Sequence, residues 1–409
     1  MKTITTAIIG GGAAGLIVAT ALKNSENTVL FERGERLGRK LSATGNGQGN
    51  LTNVATLQTQ YFSVCGLGGE CVQKILCQYD DRSFCDYLRA LGILTFADER
   101  GRVYPTGRQA SSITDALRFC VAKRGIDARL NTQIVDIQKS NDGFIVTAKT
   151  ADGEEKYLSQ NVAFCVGGKA AKNFGTDGTA YALVEKFGHS VTALYPSLVQ
   201  LKTQTAHIKT LKGLRVNDGG LTAFVDGKKI CSLRGDVIFT DYGVSGDAVF
   251  RISAFLTNKI EKNTQVYIDF LPEFTEDIIL KTLQEKREAF PDLPVQELLC
   301  GIVNNQIGRA IIKRADGDLK KAAQITKAFS LDVTGCLGFD YAQVTKGGVP
   351  MDEVDENLQS KRQNGLYFAG EVLDVDGQCG GFNLQWAYSS ARTVASAIDK
   401  KNAKGRGQV

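Results

Sequence analysis

The feature that most constrains this sequence is a glycine turn near its start, set between an apolar run and a helix-forming run. Gly10, Gly12 and Gly15 fit the pattern G-x-G-x-x-G, and a second apolar run, Thr28–Phe31, ends in Glu32 about twenty residues further on. A strand, a glycine turn, a helix, a second strand and an acid in this order are typical of the βαβ unit that binds a dinucleotide.

Each position of this motif has a physical role. Gly10 permits the tight turn, Gly12 lets a pyrophosphate approach the backbone, and Gly15 lets the helix pack close to the strand. The free N–H groups at the helix start face the phosphates, and Glu32 accepts hydrogen bonds from a ribose hydroxyl. The motif alone does not distinguish NAD from FAD. The alternative interpretation is a glycine-rich turn in an ordinary parallel sheet.

Composition is typical of a globular protein with two or three domains. The 409 residues are 43% hydrophobic and 23% charged, and the net charge of +5 requires neither nucleic acid nor membrane. No apolar stretch free of charge is long enough for a membrane-spanning helix. The ten cysteines contain no C-x-x-C pair and there are only two histidines, so we expect reduced cysteines and no metal.

The N-terminus has one feature in common with a signal peptide, because Lys2 is followed by an apolar segment. The glycine turn occupies the middle of that segment, so we interpret it as part of the fold and expect a cytoplasmic protein. We also expect a small-molecule substrate, no nucleic-acid partner and no membrane insertion.

Two later stretches indicate a binding site. The segment 38–53 is basic and then rich in Gly, Asn and Thr, and a loop of this length is usually functional. Arg39 and Lys40 could neutralise a pyrophosphate. Near the end, the segment 365–371 is a predicted strand that finishes in Gly and Glu. The segment 374–387 then opens a predicted helix to Ile398, whose start could stabilise negative charge on a reduced flavin.

The intervening chain predicts mixed structure. We expect one helix over 70–91, a hairpin about the turn 98–101, and a helix capped by Ser111 or Ser112. Residues 156–158 are predicted as the return arm of another hairpin, and 161–168 as a separate buried strand. Short alternating runs over 190–253 indicate a β domain, residues 275–328 are predicted to be mostly helical, and the basic tail 400–409 is expected to fray.

Several motifs in order resemble one known family, the HI0933-like (BaiN-like) FAD-dependent oxidoreductases, a branch of the flavoproteins with two dinucleotide-binding domains. The similarity covers nearly the whole chain. The matching stretches are 9–16, 38–53, 102–105, 164–168 with 176–189, 235–246, 344–349 and 365–387.

The resemblance implies an α/β fold, in which a Rossmann-type FAD-binding domain carries an inserted β-barrel-like domain and a small helical domain. The expected bounds are 1–190 and 335–409 for the FAD-binding domain. They are 191–255 and 322–334 for the β domain, and 256–321 for the helical domain.

The resemblance also implies FAD as cofactor and a set of residues along it. These are Gly10, Gly12, Ala14 and Gly15 at the pyrophosphate, Glu32 at the adenosine ribose, Arg33, Lys40 and Leu41 beside the phosphates, the Val135 backbone at the adenine, Asn50 and Thr52 near the ribityl chain or ring, and Gly370, Glu371, Asn383 and Leu384 at the isoalloxazine end.

Two departures from the family pattern suggest a specialised substrate. Where the family usually has Gly-Arg-Cys-Asn, this chain has Gly47-Gln48-Gly49-Asn50, which lacks a cation and a thiol. Where the family usually has Ser-Gly-Pro, this chain has Ser245-Gly246-Asp247. Both changes lie in loops that the resemblance places near the active cleft.

The family implies two hypotheses for function, and basic residues in the sequence suggest a third. The leading one is reduction of C=C bonds conjugated to the ketone of a 3-oxo-Δ4 or Δ4,6 bile acid or steroid, with electrons from NAD(P)H passing through the flavin. Since only one fingerprint is present, NAD(P)H would visit the cleft transiently. The alternatives are an aminoacetone-type amine oxidase that uses O2, and an RNA-directed flavoprotein or flavin-binding sensor. The RNA-directed alternative is suggested by the basic residues Lys202, Lys209, Lys212, Arg215, Arg309, Lys313 and Arg314. Candidate proton donors, each with a structural alternative, are Tyr242, Asp247, Cys379 and Tyr388.

Overall fold

The chain divides into two compact units. The computed structural model describes residues 1–58, 61–66 and 68–406, apart from the side chains of 404–406. One unit is Met1–Tyr195 with Val344–Val409, and the other is Pro196–Gln343. The three-domain division with the bounds given above stays a prediction.

The described residues contain the following strands: β1 (Lys2–Ile9), β2 (Thr28–Phe31), β3 (Thr52–Asn53), β4 (Thr95–Ala97), β5 (Arg102–Pro105), β6 (Asp127–Arg129), β7 (Gln133–Ser140), β8 (Gly143–Thr150), β9 (Gly153–Phe164), β10 (Tyr195–Ser197), β11 (Leu201–Thr203), β12 (Arg215–Val225), β13 (Lys228–Phe239), β14 (Gly243–Ser245), β15 (Thr264–Asp269), β16 (Phe329–Cys336), β17 (Val344–Lys346) and β18 (Leu366–Phe368). The α-helices are α1 (Ala13–Ala21), α2 (Arg39–Ser42), α3 (Gly69–Gln78), α4 (Asp81–Ala90), α5 (Ala110–Lys123), α6 (Tyr181–Glu185), α7 (Asp247–Leu256), α8 (Glu276–Ala289), α9 (Asn305–Arg314), α10 (Leu319–Lys327) and α11 (Phe382–Arg406).

The first unit is built on a seven-stranded sheet with the order β6-β2-β1-β9-β8-β7, to which β18 adds beside β9. Strands β6, β2, β1, β9 and β18 run parallel to one another, which is the arrangement of a Rossmann-type sheet. The four C-terminal residues of β1 are all buried, because helices cover both faces of a parallel sheet. A second sheet of three strands has the order β3-β5-β4.

The second unit contains a closed barrel of six antiparallel strands in the order β11-β14-β13-β12-β15-β16. Burial alternates along its strands, as in β15, where every second residue is buried. This is the period expected when one face of a strand points into a barrel. Helices α8, α9 and α10 lie between β15 and β16 in the chain. The predicted α/β fold with an inserted β-barrel is therefore confirmed.

Several local predictions were wrong for identifiable reasons. The helix predicted over 70–91 is two helices, because the Asp80 side chain accepts from the Ser83 N–H and starts α4. Helix α5 begins at Ala110 after Gln109, and the Ser112 hydroxyl donates to the Gln109 carbonyl instead of capping the helix.

Strand β9 and helix α11 are both longer than predicted. The return arm at 156–158 and the first four residues of the strand predicted at 161–168 belong to the same strand, β9, which ends at Phe164. Its first half pairs with β8 and its last residues pair with β18. Helix α11 continues past Ile398 to Arg406, so the tail up to Arg406 is helical. Residues 407–409 lie outside the described part of the chain.

Candidate functional site

The glycine turn joins β1 to α1 with an open space at its centre. Gly10 has φ +101°, and a Cβ there would overlap the Cys165 carbonyl oxygen. A Cβ on Gly15 would lie well under 3.0 Å from the Gly10 carbonyl oxygen, so the helix and the turn are in close contact. At Gly12, by contrast, an added Cβ meets no atom of the described residues within 4 Å. No side chain caps α1 at Gly12, so its first N–H groups are available to an anion.

Glu32 lies immediately after β2 and is fixed by the glycine turn. One carboxylate oxygen accepts from the Gly11 N–H at 2.8 Å, and the other accepts from the Gly34 N–H at 2.7 Å. Since each carboxylate oxygen can accept more than one hydrogen bond, Glu32 can still bind a ribose hydroxyl. The structure thus places the acid beside the turn, as the fingerprint requires.

The loop after β2 joins the two ends of the chain through an ion pair. Lys40 lies in α2, and its ammonium is 2.8 Å from a carboxylate oxygen of Glu371. The other oxygen of Glu371 accepts from the Thr345 N–H at 2.8 Å. Leu41, next to Lys40, is buried. Lys40 and Glu371, predicted separately near the cofactor from opposite ends of the sequence, are therefore in direct contact.

Asn50 is the residue whose hydrogen bonding points most clearly to a bound cofactor. Its side chain is buried, and its amide oxygen has no hydrogen-bond partner among the residues that the structure describes. An unpaired buried acceptor is costly, and native proteins usually satisfy such atoms. A cofactor with hydroxyl or N–H donors would supply the bond. This observation fits FAD at the position where Asn50 was predicted to bind.

The start of α11 packs directly against the strand that follows Asn50. Gly381 has φ +100°, and a Cβ there would overlap the Thr52 backbone. Thr52 donates through its hydroxyl to the side-chain oxygen of Gln385 in the first turn of α11. The Asn383 amide donates to the Gly377 carbonyl and accepts from the Gly377 N–H, both at 2.8 Å. Asn383 therefore shapes the loop before the helix by its own hydrogen bonds.

Gly370 lies where β18 ends and comes close to the glycine turn. Its φ is +80°, and a Cβ there would lie 2.9 Å from the Cβ of Ala14. Its N–H donates to the Ser390 hydroxyl at 2.9 Å, and its carbonyl accepts from the Trp386 indole at 3.2 Å. Leu384 is partly buried against the core of this unit. The first and last predicted cofactor segments therefore meet.

Arg33 was predicted beside the phosphates, and the Val135 backbone at the adenine. The Arg33 guanidinium is 3.0 Å from Asp177 and also donates to the Gly175 carbonyl at 2.7 Å. Partial burial opposes ionisation of Asp177, but hydrogen bonds from Thr179 and Arg33 outweigh it and lower its pKa to about 2. Val135 stands between two paired residues of β7 where the register shifts, without a partner of its own in β8.

The four candidate proton donors have different settings. The Tyr388 ring stacks on Phe84, its hydroxyl contacts Ser83 and Arg392, and burial raises its pKa, so its environment favours a structural role. Tyr242 and Asp247 belong to the second unit. Tyr242 is partly buried, which raises its pKa, and Asp247 starts α7. Cys379 is partly exposed in the loop before α11.

Sequence reasoning missed three partners in this site. Asp177 holds Arg33, Thr345 binds Glu371 through its N–H, and Gln385 binds Thr52. Only the turn sequence around Asp177 carries a local signal, and that signal is typical of a helix cap. Helix α6 instead begins after Ala180 without a side-chain cap.

Two features are absent from the described part of the chain. No helix within residues 1–58, 61–66 and 68–406 is long and apolar enough to cross a membrane. Within the same residues, no group of three or more His, Cys, Asp or Glu side chains is placed to hold a metal ion.

Comparison with known proteins gives one family and several relatives. The family described as "HI0933-like protein Rossmann domain" matches residues 4–397. A 3-dehydro-bile acid delta(4,6)-reductase of Clostridium scindens is 32% identical, over 96% of this chain and 98% of its own length. A ribosomal RNA dihydrouridine synthase of Haemophilus influenzae is 27% identical over 96% of this chain and 98% of its own length.

Solved structures share the fold at low identity. A 3-ketosteroid delta1-dehydrogenase from Sterolibacterium denitrificans superposes with a TM-score of 0.56 and 12% identity, covering 98% of this chain and all of its own. At that identity the likeness concerns the fold alone.

Proposed function

Because this chain belongs to the HI0933-like family of FAD-dependent oxidoreductases, we propose that it reduces a C=C bond conjugated to a ketone. The proposed substrate is a 3-oxo-Δ4 or Δ4,6 bile acid or steroid, and the proposed electron donor is NAD(P)H. The observation that carries this proposal is the full-length similarity to a relative whose name describes that reduction.

FAD, when bound, would supply hydride transfer to the double bond. The chain's residues would bind and orient it. The open space at Gly12 and the first N–H groups of α1 suit the diphosphate. Glu32 suits the ribose, and the unpaired amide oxygen of Asn50 suits a donor on the ribityl chain or ring. The N–H groups at the start of α11 would stabilise negative charge beside it.

Reduction of a conjugated double bond also needs a proton at the carbon next to the carbonyl. We propose that Cys379 holds this proton on its Sγ. Among the four candidates it combines partial exposure with a place in the loop that Asn383 shapes at the start of α11. Tyr388 fits this role less well because its hydroxyl is held by Ser83 and Arg392.

A second candidate substrate is a uridine in ribosomal RNA. Two relatives, from Haemophilus influenzae and Escherichia coli, are named ribosomal RNA dihydrouridine synthases. The bond that is saturated in dihydrouridine is also conjugated to a carbonyl, so the chemistry is of the same class. The predicted absence of a nucleic-acid partner therefore stays a prediction.

The basic residues that motivated an RNA-directed role are mostly engaged within the protein. Lys212 is 2.8 Å from Asp241, Arg215 pairs with Asp236, and Arg309 is 2.8 Å from Glu297. Arg314 donates to the Ser330 carbonyl. Side chains already paired with carboxylates contribute less to phosphate binding, which favours the small-molecule substrate.

The test is an anaerobic assay of the purified flavoprotein with NADH or NADPH. Bile acids with a 4-en-3-one or 4,6-dien-3-one group are the substrates, and mass spectrometry identifies products with two added hydrogens. We expect such products. Their absence, with dihydrouridine formed in a ribosomal RNA transcript, would favour the second candidate. Peroxide formed from aminoacetone and O2 would instead indicate an amine oxidase.

A further inference from the structure

Arg108 is an exposed arginine held in an unusual position. It has φ +45°, a conformation that non-glycine residues seldom adopt and that the surroundings must enforce. Its guanidinium carbon lies 4.8 Å from the ring centre of Phe96 and 4.9 Å from that of Tyr104. One of its terminal nitrogens donates to the Gln48 side-chain oxygen at 3.0 Å. The cation is therefore fixed on an aromatic platform.

Among the described residues, this cation has no carboxylate partner. Within the part of the chain that the structure describes, no Asp or Glu lies within salt-bridge distance of Arg108. On the same hairpin, Arg102 is paired with Asp98 at 2.7 Å. A guanidinium that is preorganised by cation–π contacts and lacks an anion keeps donors available for one.

The turn that carries Arg108 packs on the loop that leads to Asn50. The Ala110 N–H donates to the Gly47 carbonyl at 2.8 Å. A Cβ on Gly49 would lie 3.1 Å from the Cα of Ala110 and 3.2 Å from the Cδ1 of Ile113. Gly49 thus allows the close approach of this turn, and Gln48 binds the arginine directly. The two residues of the Gly47–Asn50 loop that depart from the family pattern are the two that accommodate the Arg108 turn.

Strand β3 separates the aromatic platform of Phe96 and Tyr104 from the loop before α11. Tyr104 lies in β5, and β5 pairs with β3 through Val103 and Thr52. On the other side of β3, the Asn53 amide donates to the Gly380 carbonyl at 3.2 Å. Arg108 therefore lies on the small sheet that borders the predicted flavin end of the site.

We propose that Arg108 is a specificity residue that binds the carboxylate of an anionic substrate. The inference rests on the proposed function, since it assigns the acidic group of the substrate to a site on the enzyme. Gln48 fixes one terminal nitrogen, and the remaining N–H groups of the guanidinium receive the carboxylate oxygens. The cation that the family carries within the Gly47–Asn50 loop is thereby supplied from the neighbouring turn.

The test compares a 4-en-3-one steroid that ends in a carboxylate with its neutral methyl ester. Dissociation constants are measured from the change in flavin absorbance of the holoenzyme. We expect wild-type protein to bind the acid about 10- to 100-fold more tightly than the ester. Arg108→Gln should abolish this preference, and Arg108→Lys should restore part of it. Arg89→Gln, which removes an exposed arginine on α4, is the control for net charge and should keep it.

A second part of the experiment tests the anion site without a steroid. Calorimetry with small arenecarboxylates and inorganic phosphate tests the anion site directly. Binding of an arenecarboxylate that is lost in Arg108→Gln supports the site even if no steroid is reduced, in which case only the proposed function fails. Equal binding of acid and ester, with no anion bound through Arg108, overturns the inference. Loss of phosphate binding alone, without any effect on carboxylates, would point to a nucleic-acid backbone and also overturn it.

Discussion

Replacing Gly12 by alanine separates cofactor binding from folding. The position has φ −77° and ψ −165°, which any L-residue can adopt, and an added Cβ meets no protein atom within 4 Å. The substitution should therefore leave the FAD-free protein as stable as wild type, or more stable by up to about 1 kcal/mol, because it restricts the unfolded chain. Under the proposed assignment, the methyl would instead displace the diphosphate of FAD at the start of α1.

The expected loss of affinity follows from the contacts at the turn. If the methyl prevents one charge-assisted hydrogen bond from the backbone, the cost is about 1.5–3 kcal/mol, or roughly 10- to 150-fold in the dissociation constant of FAD. Gly15→Ala is the matched control, because its Cβ would overlap the Gly10 carbonyl oxygen. Because the backbone cannot move easily to relieve this overlap, the variant should lose about 1–3 kcal/mol or more of folding stability.

The assay is denaturant unfolding of the FAD-free proteins combined with fluorescence titration of FAD. Gly12→Ala should change the dissociation constant but not the stability, and Gly15→Ala should lower the stability. FAD bound equally well by Gly12→Ala would refute the assignment of the diphosphate to this turn. Equal destabilisation by the two substitutions would refute the conclusion that a Cβ at Gly12 has open space around it.

Three further predictions concern the rest of the site. Lys40→Met should weaken FAD binding about tenfold in the same titration, because it removes a cation beside the predicted phosphates and leaves the Glu371 carboxylate unpaired; unchanged affinity would contradict it. Cys379→Ser should slow enone reduction about 100-fold or more without changing the affinity for FAD. Tyr388→Phe should keep the rate of reduction and lower the folding stability. The reverse result would mean that Tyr388 and not Cys379 is the proton donor. The pKa of Asp177 is about 2, below its ordinary 3.8, so its stabilisation is present above pH 3.8 and is lost as the pH falls toward 2. Urea unfolding of Asp177→Asn should show a weaker loss of stability over that range, and an identical pH profile would contradict the assignment.

Sequence patterns predicted the sheet well where a motif is compatible with only one local structure. The glycine turn and the buried run before it required a parallel strand and a helix. The extent of β9 could not be read in the same way. Its first half is antiparallel to β8 and its second half lies between β1 and β18, so its burial pattern changes within one strand. A change of neighbours along a strand breaks the periodicity on which sequence prediction depends.

In the site, local motifs predicted segments but not their partners. Lys40 and Glu371 were each assigned to the cofactor, yet their ion pair joins residues 331 positions apart. The hydrogen bond between Thr52 and Gln385 and the aromatic platform under Arg108 are likewise long-range or conformational features. Nothing in the sequence near Arg108 indicates that Phe96 and Tyr104 stack beneath its guanidinium. The folded structure alone brings these groups together.

The most direct test of the proposed reaction is a single-turnover experiment without oxygen. The bound flavin is first reduced, and a 3-oxo-Δ4 or Δ4,6 bile acid is then mixed with the enzyme while the flavin absorbance is followed. The proposed function predicts that the bile acid reoxidises the flavin and gains two hydrogens. If the flavin stays reduced with every enone and is reoxidised only when O2 is admitted, with formation of peroxide, the proposed function is wrong.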